Sequence, residues 1–237
     1  MRFNWRPDRV AFLDFETQSE CDLTKSTARK YAADPSTRAL TCVVKLEGKP
    51  PIRMGPYLND ACKDLLVKIA EQHTIVAHNA PFDGAIWERT LNLPEAEWFD
   101  TLKTTRAAGY PGGLDMVGAA ITGRGKDPNG KRLIDLLCCV RNGRVPAVGP
   151  AHQLLLDYNA RDVELLEIVY EKTKRFVEPD VMTVDHVINE RGVPFNRDRL
   201  ERIAELTVKL GEDSRTAFYK RANALPSSPT QVLDWLE

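Results

Sequence analysis

The chain has 237 residues, 43% of them apolar and 8% aromatic, and its formal net charge is −1 at pH 7. This length and composition predict one large globular domain, or one domain with an appendage, around a full hydrophobic core. The near-neutral charge points to no particular partner, and the five cysteines include no Cys-x-x-Cys pair, which argues against a zinc centre or a dithiol redox site.

The cellular location expected for the chain follows from the same composition. No apolar run approaches the roughly 20 residues of a membrane-spanning helix, and the first residues contain Asn4, Arg6, Asp8 and Arg9 where a signal peptide would have an apolar core. An odd number of cysteines is typical of a reducing compartment. We therefore expect a cytoplasmic, intracellular protein with no membrane partner.

The first predicted strand covers residues 10–17 and contains two acidic residues, Asp14 and Glu16. Side chains alternate between the two faces of a strand, so these carboxylates share one face while Leu13 and Phe15 point to the other. Two adjacent carboxylates repel each other unless a cation lies between them or one keeps a proton, and such ligands suit Mg²⁺ or Mn²⁺. The alternative is an edge strand with a solvated acidic face, since Asp-x-Glu is a common pattern.

The next segment predicts two more strands and a helix. Residues 18–36 are polar and contain turn-forming residues, so we predict no regular element there. Residues 39–47 and 52–54 predict a second and a third strand, and the short turn between them makes these strands antiparallel neighbours. Asn59 is predicted to cap a helix that ends near Gln72.

A strand-to-helix junction follows. Residues 74–78 form an apolar run typical of a buried parallel strand. Pro81 suits the first turn of the next helix, which is predicted to end at Leu91. Asp83 then lies in a first helical turn at the carboxyl end of a strand, where open α/β sheets place their ligands. We expect His78 to be a hydrogen-bonded histidine at the strand end and not a catalytic residue.

The rest of the chain is predicted to be helical. Helices are predicted at about 101–108, 114–121, 130–140, 151–174, 179–190, 197–222 and, as a short turn, after Pro229. The helix over 151–174 has a wide apolar face. Its Tyr158 and Asp162 are four residues apart and therefore lie on one face, one turn from each other. By itself this pair is typical of one packing residue beside one solvated residue.

A local excess of basic residues lies between Arg124 and Arg144. This stretch contains six basic residues and only two acidic ones. Such a segment either contacts phosphates or forms a solvated helix face and loop, and charge alone does not separate these interpretations.

Three segments taken together give a more specific indication. They are Asp14-Phe15-Glu16-Thr17, Asn79 to Asp83, and Tyr158-Asn159-Ala160-Arg161-Asp162. In type, order and context they resemble the three motifs of DEDD-type 3'-to-5' exonucleases of the tyrosine subclass. Residues 22–35, 100–101, 109–114 and 126–133 resemble, more narrowly, the proofreading domain of bacteriophage-type family A DNA polymerases. Residues 188–196 and 226–233 are similar to the segments that lead from that domain into the polymerase thumb.

The resemblance implies an α/β fold of the ribonuclease-H-like type. In this fold a mixed sheet, with antiparallel first strands and a parallel later strand, is flanked by helices. The resemblance places the 3'-to-5' exonuclease domain at residues 1–176 and a helical C-terminal extension, similar to the lead-in to a polymerase thumb, at residues 177–237. It also implies a phage-encoded protein in a bacterial host.

The implied chemistry is metal-dependent hydrolysis of the terminal phosphodiester of single-stranded DNA 3' ends, as in proofreading during phage-type replication. The resemblance assigns the binding of two divalent metal ions, Mg²⁺ or Mn²⁺, to four carboxylates: Asp14, Glu16, Asp83 and Asp162. One ion would activate a water molecule and the other would stabilise the departing 3' oxygen. Tyr158 would orient that water, because a phenol with a pKa of about 10 is better suited to positioning than to accepting the proton.

The same resemblance implies substrate contacts. Asn79 and Thr17 would contact the terminal nucleotide, and Phe82 would pack on its base or sugar, with core packing as the alternative for Phe82. Independently of the resemblance, the local excess of basic residues predicts that a glycine-rich loop closes over the strand and holds its phosphates, with four cations flanking it: Arg124, Lys126, Lys131 and Arg132. The expected partners are a single-stranded DNA 3' end and a polymerase domain or subunit.

Two alternatives to a DNA exonuclease remain at this stage. The first is an RNA-trimming exonuclease of the ribonuclease D type, against which the segments at 188–196 and 226–233 argue. The second is a non-catalytic module that holds DNA or docks a polymerase, against which the complete set of carboxylates argues.

Overall fold

A computed structural model of the protein describes residues 8–123, 130–138, 149–176 and 178–236. Five strands form one sheet in the order β3-β2-β1-β4-β5. Their bounds are Val10–Gln18 for β1, Arg38–Leu46 for β2, Ile52–Met54 for β3, Thr74–Ala77 for β4 and Trp98–Asp100 for β5. Strand β1, which contains Asp14 and Glu16, therefore lies in the centre of the sheet and not at its edge.

The sheet is mixed. Strand β1 pairs antiparallel with β2, and β2 pairs antiparallel with β3. On the other side β1 is parallel to β4, and β4 is parallel to β5. With its flanking helices this is the ribonuclease-H-like α/β fold predicted from the sequence, including the antiparallel first strands and the parallel later strand.

The helices follow the chain order closely. The α-helices are α1 (Ala28–Ala33), α2 (Asp60–Gln72), α3 (Ala80–Ala85), α4 (Thr101–Ala107), α5 (Leu114–Thr122), α6 (Gly130–Leu137), α7 (Ala151–Thr173), α8 (Pro179–Arg191), α9 (Arg197–Ala222) and α10 (Pro229–Leu236). Helix α3 continues as a π-helical turn over Ile86–Thr90, and a 3₁₀ turn over Lys174–Phe176 follows α7. The predicted cap of α2 is confirmed, because the Asn59 side chain accepts a hydrogen bond from the Cys62 N–H at 3.0 Å.

Two elements were not predicted from the sequence. Helix α1 lies in a stretch that we expected to have no regular structure, and Thr27 caps it by accepting a hydrogen bond from the Lys30 N–H at 3.3 Å. Strand β5 is only three residues long and pairs with β4. Both elements are too short to show a periodic apolar pattern, and both are stabilised by partners that are distant in sequence.

The alternating side chains of β1 pack into two layers. Ala11, Leu13 and Phe15 belong to a core that includes side chains of α2 and α3. Val10 and Phe12 belong to a second core with the apolar face of α7. Because the even-numbered residues of β1 face α7, the carboxylates of Asp14 and Glu16 are also directed toward that helix.

The chain forms two compact units, Met1–His186 and Val187–Glu237. The second unit contains α9 and α10, where the rings of Phe218 and Trp235 meet edge to face with their centroids 5.6 Å apart. The functional division into an exonuclease domain at 1–176 and a polymerase-like extension at 177–237 stays a prediction. Within the described parts of the chain, no helix is both long enough and apolar enough to cross a membrane.

Candidate active site

Three carboxylates come together between the central strand and the long helix. They belong to Asp14 and Glu16 of β1 and to Asp162 of α7, and their ligand oxygens all lie within 4.8 Å of one another. Asp162 is buried, whereas Asp14 and Glu16 are half-buried. The structure thus brings together three of the four residues that the sequence suggested as metal ligands.

Asp83, the fourth of these residues, lies next to the cluster but is not one of its three members. Its side chain is buried in α3, and its Oδ1 accepts a hydrogen bond from the Phe15 N–H at 3.2 Å. Burial is the main factor that raises the pKa of Asp83 well above its ordinary value, and the nearby charge of Asp14 raises it further. Asp83 is therefore hydrogen-bonded to β1 at Phe15, the residue between Asp14 and Glu16.

This set of donors fits a hard divalent cation. All of the donor atoms are carboxylate oxygens, the ligands that Mg²⁺ and Mn²⁺ prefer. The Asp14 carboxylate raises the pKa of Asp83 beyond the effect of burial, which indicates repulsion between these two acidic groups. A bound cation would remove this repulsion and favour the ionised carboxylates.

Tyr158 lies one helical turn from Asp162 on α7 and is buried. Its ring packs with Leu40, Leu137 and Leu155, and it lies directly against Gly130 at the start of α6. A Cβ atom at Gly130 would be 2.2 Å from the Tyr158 Cε2 atom, which is far inside van der Waals contact. Tyr158 thus combines a position beside the cluster with close packing under α6.

A pocket of about 440 Å³ opens beside Glu16. Two of the predicted substrate-binding residues, Thr17 and Phe82, line it together with Tyr31. The Thr17 and Tyr31 hydroxyls are hydrogen-bonded at 2.9 Å, and the rings of Tyr31 and Phe82 have centroids 5.8 Å apart. The partly buried ring of Phe82 packs against the core and also lines the pocket, while its contact with a terminal nucleotide stays a prediction.

Asn79, the third predicted contact, is exposed at the junction between β4 and α3. Its backbone is left-handed, with φ at 69°, and its side chain makes no capping hydrogen bond. The Asn79 N–H donates to Oδ1 of the buried Asp100 at 2.9 Å, and the same oxygen accepts from the Leu102 N–H at 3.0 Å. Asp100 thereby connects the end of β5 to the turn that precedes Asp83.

His78 is hydrogen-bonded through both ring nitrogens, as expected for a histidine at a strand end. Its Nδ1 lies 3.0 Å from the Thr101 hydroxyl, and its Nε2 lies 2.9 Å from the Gly112 carbonyl oxygen. These contacts join the end of β4 to the first residue of α4 and to the segment that follows α4.

Of the cations predicted to hold the phosphates of the strand, only Arg132 has a side chain that the structure describes. Arg132 is exposed on α6. Arg124 and Lys126 lie outside the described residues, and so does the side chain of Lys131.

Sequence reasoning missed Asn159, which connects α7 to the sheet. This residue is fully buried, and its Nδ2 donates to the Asp14 carbonyl oxygen at 3.3 Å and to the Thr41 hydroxyl at 3.1 Å. The signal was present in the helical pattern, because Asn159 lies four residues after Leu155 and four before Val163 on the apolar face. A polar residue on that face needs a hydrogen-bonding partner, and the partner lies on the strand that holds Asp14.

Comparisons with known proteins support the fold. No known protein family matches the chain, and no curated protein sequence is significantly similar to it. The EXO domain of Aedes aegypti Nibbler superimposes with a TM-score of 0.50 at 11% identity, covering 73% of this chain and 84% of that one. At this level of identity the match shows a shared fold and nothing about chemistry.

Two further solved structures are similar at lower scores. A Trypanosoma brucei RNase D in complex with RNA U12 has a TM-score of 0.49 at 16% identity, covering 70% of this chain. The match spans 55% of that RNase D, so just over half of its length is represented. The apo form of a nuclease has a TM-score of 0.46 at 15% identity, with 80% of this chain and 90% of that one covered.

Proposed function

We propose that this protein is a metal-dependent 3'-to-5' exonuclease that removes nucleotides from single-stranded DNA 3' ends. The observation that carries the proposal is the cluster of Asp14, Glu16 and Asp162, with ligand oxygens within 4.8 Å of one another. The cluster lies in a fold shared with the Nibbler EXO domain and beside a pocket that can take a terminal nucleotide.

The metal ions of the proposed reaction centre are held by carboxylates. Asp14, Glu16 and Asp162, with Asp83 next to them, hold the divalent ions, Mg²⁺ or Mn²⁺. Bound divalent ions supply activation of a water molecule and stabilisation of negative charge on the departing 3' oxygen. Tyr158 orients the attacking water through its hydroxyl, and its burial against Gly130 limits the movement of the ring.

The pocket beside Glu16 receives the sugar and base of the terminal nucleotide. Its wall contains Thr17 and Phe82, and its rim contains the exposed acidic residues Glu20 and Asp22. Carboxylates at the rim repel phosphate, so the terminal phosphodiester lies on the side of the carboxylate cluster, where cations are bound.

The biological role that we propose is proofreading in phage-type DNA replication, with a polymerase domain or subunit as the partner. Support comes from the sequence segments at 188–196 and 226–233, which resemble the lead-in to a polymerase thumb. The predicted roles of Asn79 and of the cations Lys126, Lys131 and Arg132 belong to this same proposal.

The test is degradation of matched DNA and RNA strands labelled at the 5' end, with Mg²⁺, with Mn²⁺ or with a chelator. We expect ladders that shorten from the 3' end of DNA, dependence on metal, and loss of activity in Asp14→Asn and Asp162→Asn with unchanged circular dichroism. Faster trimming of RNA would favour an enzyme of the ribonuclease D type. DNA binding without any cleavage would favour a non-catalytic module, and cleavage that survives both substitutions would contradict the assignment of the site.

A further inference from the structure

An exposed aromatic residue lies close to the end of the strand that carries the acidic cluster. Tyr57 follows β3, is 39% exposed, and has a left-handed backbone with φ at 59°. The other non-glycine residues with positive φ in the described parts of the chain are Asn79, Asn92 and Asn223. Asparagine adopts this conformation readily and tyrosine does so rarely, so the unfavourable backbone at Tyr57 calls for a functional explanation.

The position of Tyr57 is defined by hydrogen bonds to the two central strands. Its N–H donates to the Leu40 carbonyl oxygen of β2 at 2.9 Å. Its hydroxyl lies 3.5 Å from Oε1 of Gln18, the last residue of β1. Gln18 is buried and donates through Nε2 to the Leu137 carbonyl oxygen of α6 at 2.7 Å. The Tyr57 ring is thus held next to both β1 and the helix that covers Tyr158.

The residue that the Tyr57 hydroxyl contacts, Gln18, lies on the strand that supplies Asp14 and Glu16. Gln18 is two residues after Glu16, which corresponds to about 7 Å along a strand. The Tyr57 ring lies beyond the Gln18 side chain, so a strand whose terminal phosphodiester lies at the cluster reaches the ring with its second or third nucleotide on the 5' side of the scissile bond and not with its first.

A basic residue, Arg38, lies beside the exposed ring of Tyr57. Arg38 pairs with Gln18 across the β1–β2 ladder, and its guanidinium lies 5.9 Å from the centroid of the Tyr57 ring. The other cations of β2 and β3 are used in ion pairs with α7, since Lys45 pairs with Glu167 and Arg53 pairs with Asp157. Arg38 is exposed and forms no ion pair with a described carboxylate, so its charge is available to an external anion.

We propose that Tyr57 and Arg38 bind the substrate strand on the 5' side of the scissile bond. The Tyr57 ring stacks on a base and the Arg38 guanidinium contacts a phosphate, a combination typical of surfaces that bind single strands without reading their sequence. A cation at this position also offsets the repulsion between the phosphates of the strand and the acidic cluster. This inference rests on the proposed function and adds to it a contact remote from the reacting bond.

The experiment compares Tyr57→Asn, Tyr57→Phe and Arg38→Gln with Lys49→Gln as the matched control. Asparagine tolerates the left-handed backbone, so Tyr57→Asn removes the ring without disturbing the turn. Lys49 is an exposed cation in the turn at the opposite end of the β2–β3 hairpin, so its substitution removes the same charge elsewhere. Binding is measured with a single-stranded DNA dodecamer in Ca²⁺, which suppresses cleavage, and turnover is measured with the dodecamer and with a dinucleotide.

Tyr57→Asn should weaken dodecamer binding by about tenfold, the effect of losing one stacked base, while Tyr57→Phe should bind as the wild type does. Arg38→Gln should reduce the slope of log Kd against log salt concentration by about 0.7, and Lys49→Gln should leave that slope unchanged. For cleavage we expect a raised KM and an unchanged kcat on the dodecamer, with no change on the dinucleotide, which is too short to reach the ring.

Two outcomes would overturn the inference. One is wild-type dodecamer binding in Tyr57→Asn, and the other is an equal loss on the dinucleotide, which would mean that the substitution disturbs the acidic cluster itself. Failure of the wild-type protein to cleave either substrate would instead contradict the proposed function. The two failures can be distinguished, because the binding measurement in Ca²⁺ tests Tyr57 and Arg38 without requiring cleavage.

Discussion

Asn159 links the two elements that supply the acidic cluster. Asp14 lies on β1 and Asp162 lies on α7, and the Asn159 side chain donates to the backbone of Asp14 from within the same turn of helix that separates Tyr158 from Asp162. Its buried Oδ1 has no hydrogen-bonding partner among the described residues, so stability alone does not account for an asparagine at this position. We interpret Asn159 as a positioning residue that acts through Asp14 and Asp162.

Replacing Asn159 with leucine should therefore impair turnover more than folding. Leucine fills a similar volume without the two donated hydrogen bonds, so the spacing between β1 and α7 becomes less well defined. We expect kcat to fall by about 10- to 100-fold and the Mg²⁺ concentration for half-maximal activity to rise, with KM for DNA nearly unchanged.

The control for this prediction is Thr41→Val, which removes only the second acceptor of Asn159. It should retain most of the activity. If Asn159→Leu lowered stability but left both kcat and the metal dependence at wild-type values, Asn159 would be a core residue without a role in positioning.

Among the secondary-structure elements, α6 has a position that depends on the close contact between Gly130 and the Tyr158 ring. Gly130 begins this helix directly on the ring of Tyr158, and Leu137 near its end accepts a hydrogen bond from Gln18 of β1. Cys138, which follows the helix, has its Sγ 3.9 Å from Oε2 of Glu16. Helix α6 is therefore packed on the tyrosine at one end and next to the acidic cluster at the other.

Gly130→Ala should test whether this packing positions Tyr158. The added methyl group would lie 2.2 Å from the ring, so either the tyrosine or the start of α6 must move. We expect kcat to fall by about tenfold or more, because small displacements of a positioning group have large kinetic effects. Single-turnover rates on labelled single-stranded DNA measure this change.

Gly149→Ala is the matched control, since no atom of the described residues lies within 4 Å of an added Cβ there. It should retain wild-type rates. Wild-type turnover in Gly130→Ala would show that α6 moves away without displacing Tyr158, and that the contact has no part in catalysis.

For the molecule as a whole, the buried charge at the site opposes folding when no metal is bound. The pKa of Asp83 is raised by burial and then by Asp14, so the folded protein holds a proton at Asp83 more tightly than the unfolded chain does. Its contribution to stability is therefore complete below the ordinary carboxyl pKa of about 4 and is lost as the pH rises through the folded-state value. Ionisation of Asp83 at higher pH destabilises the metal-free protein.

Asp83→Asn should accordingly raise the thermal stability of the metal-free protein at neutral pH. Asparagine retains an oxygen that can accept the Phe15 N–H and carries no charge. The gain in Tm should be small near pH 4 and should increase with pH, whereas Mg²⁺ should stabilise the wild type more than the variant. Thermal unfolding across this pH range, with and without Mg²⁺, measures both effects.

Asp64→Asn, which removes an exposed carboxylate of α2, should show neither effect. A lower Tm for Asp83→Asn in metal-free buffer at neutral pH would mean that the Asp83 carboxylate stabilises the fold, and the argument from charge repulsion would then be wrong.

Those features of the site that depend on local periodicity could be predicted from the amino-acid sequence. The alternation along β1 places Asp14 and Glu16 on one face, and the four-residue spacing on α7 places Tyr158 and Asp162 one turn apart. The cap at Asn59 and the apolar strand β4 are also local, since a capping side chain or an apolar run is visible within a few residues.

The way in which these local features meet could be read only from the folded structure. It placed the Phe15 N–H against Asp83 across 68 residues of chain and Asn159 against Asp14 across 145. It also stabilised α1 and β5, which are too short to form without partners, and it held Tyr57 in a left-handed conformation by a bond to β2. Each of these contacts joins residues that are distant in sequence, and local propensity carries no information about such pairs.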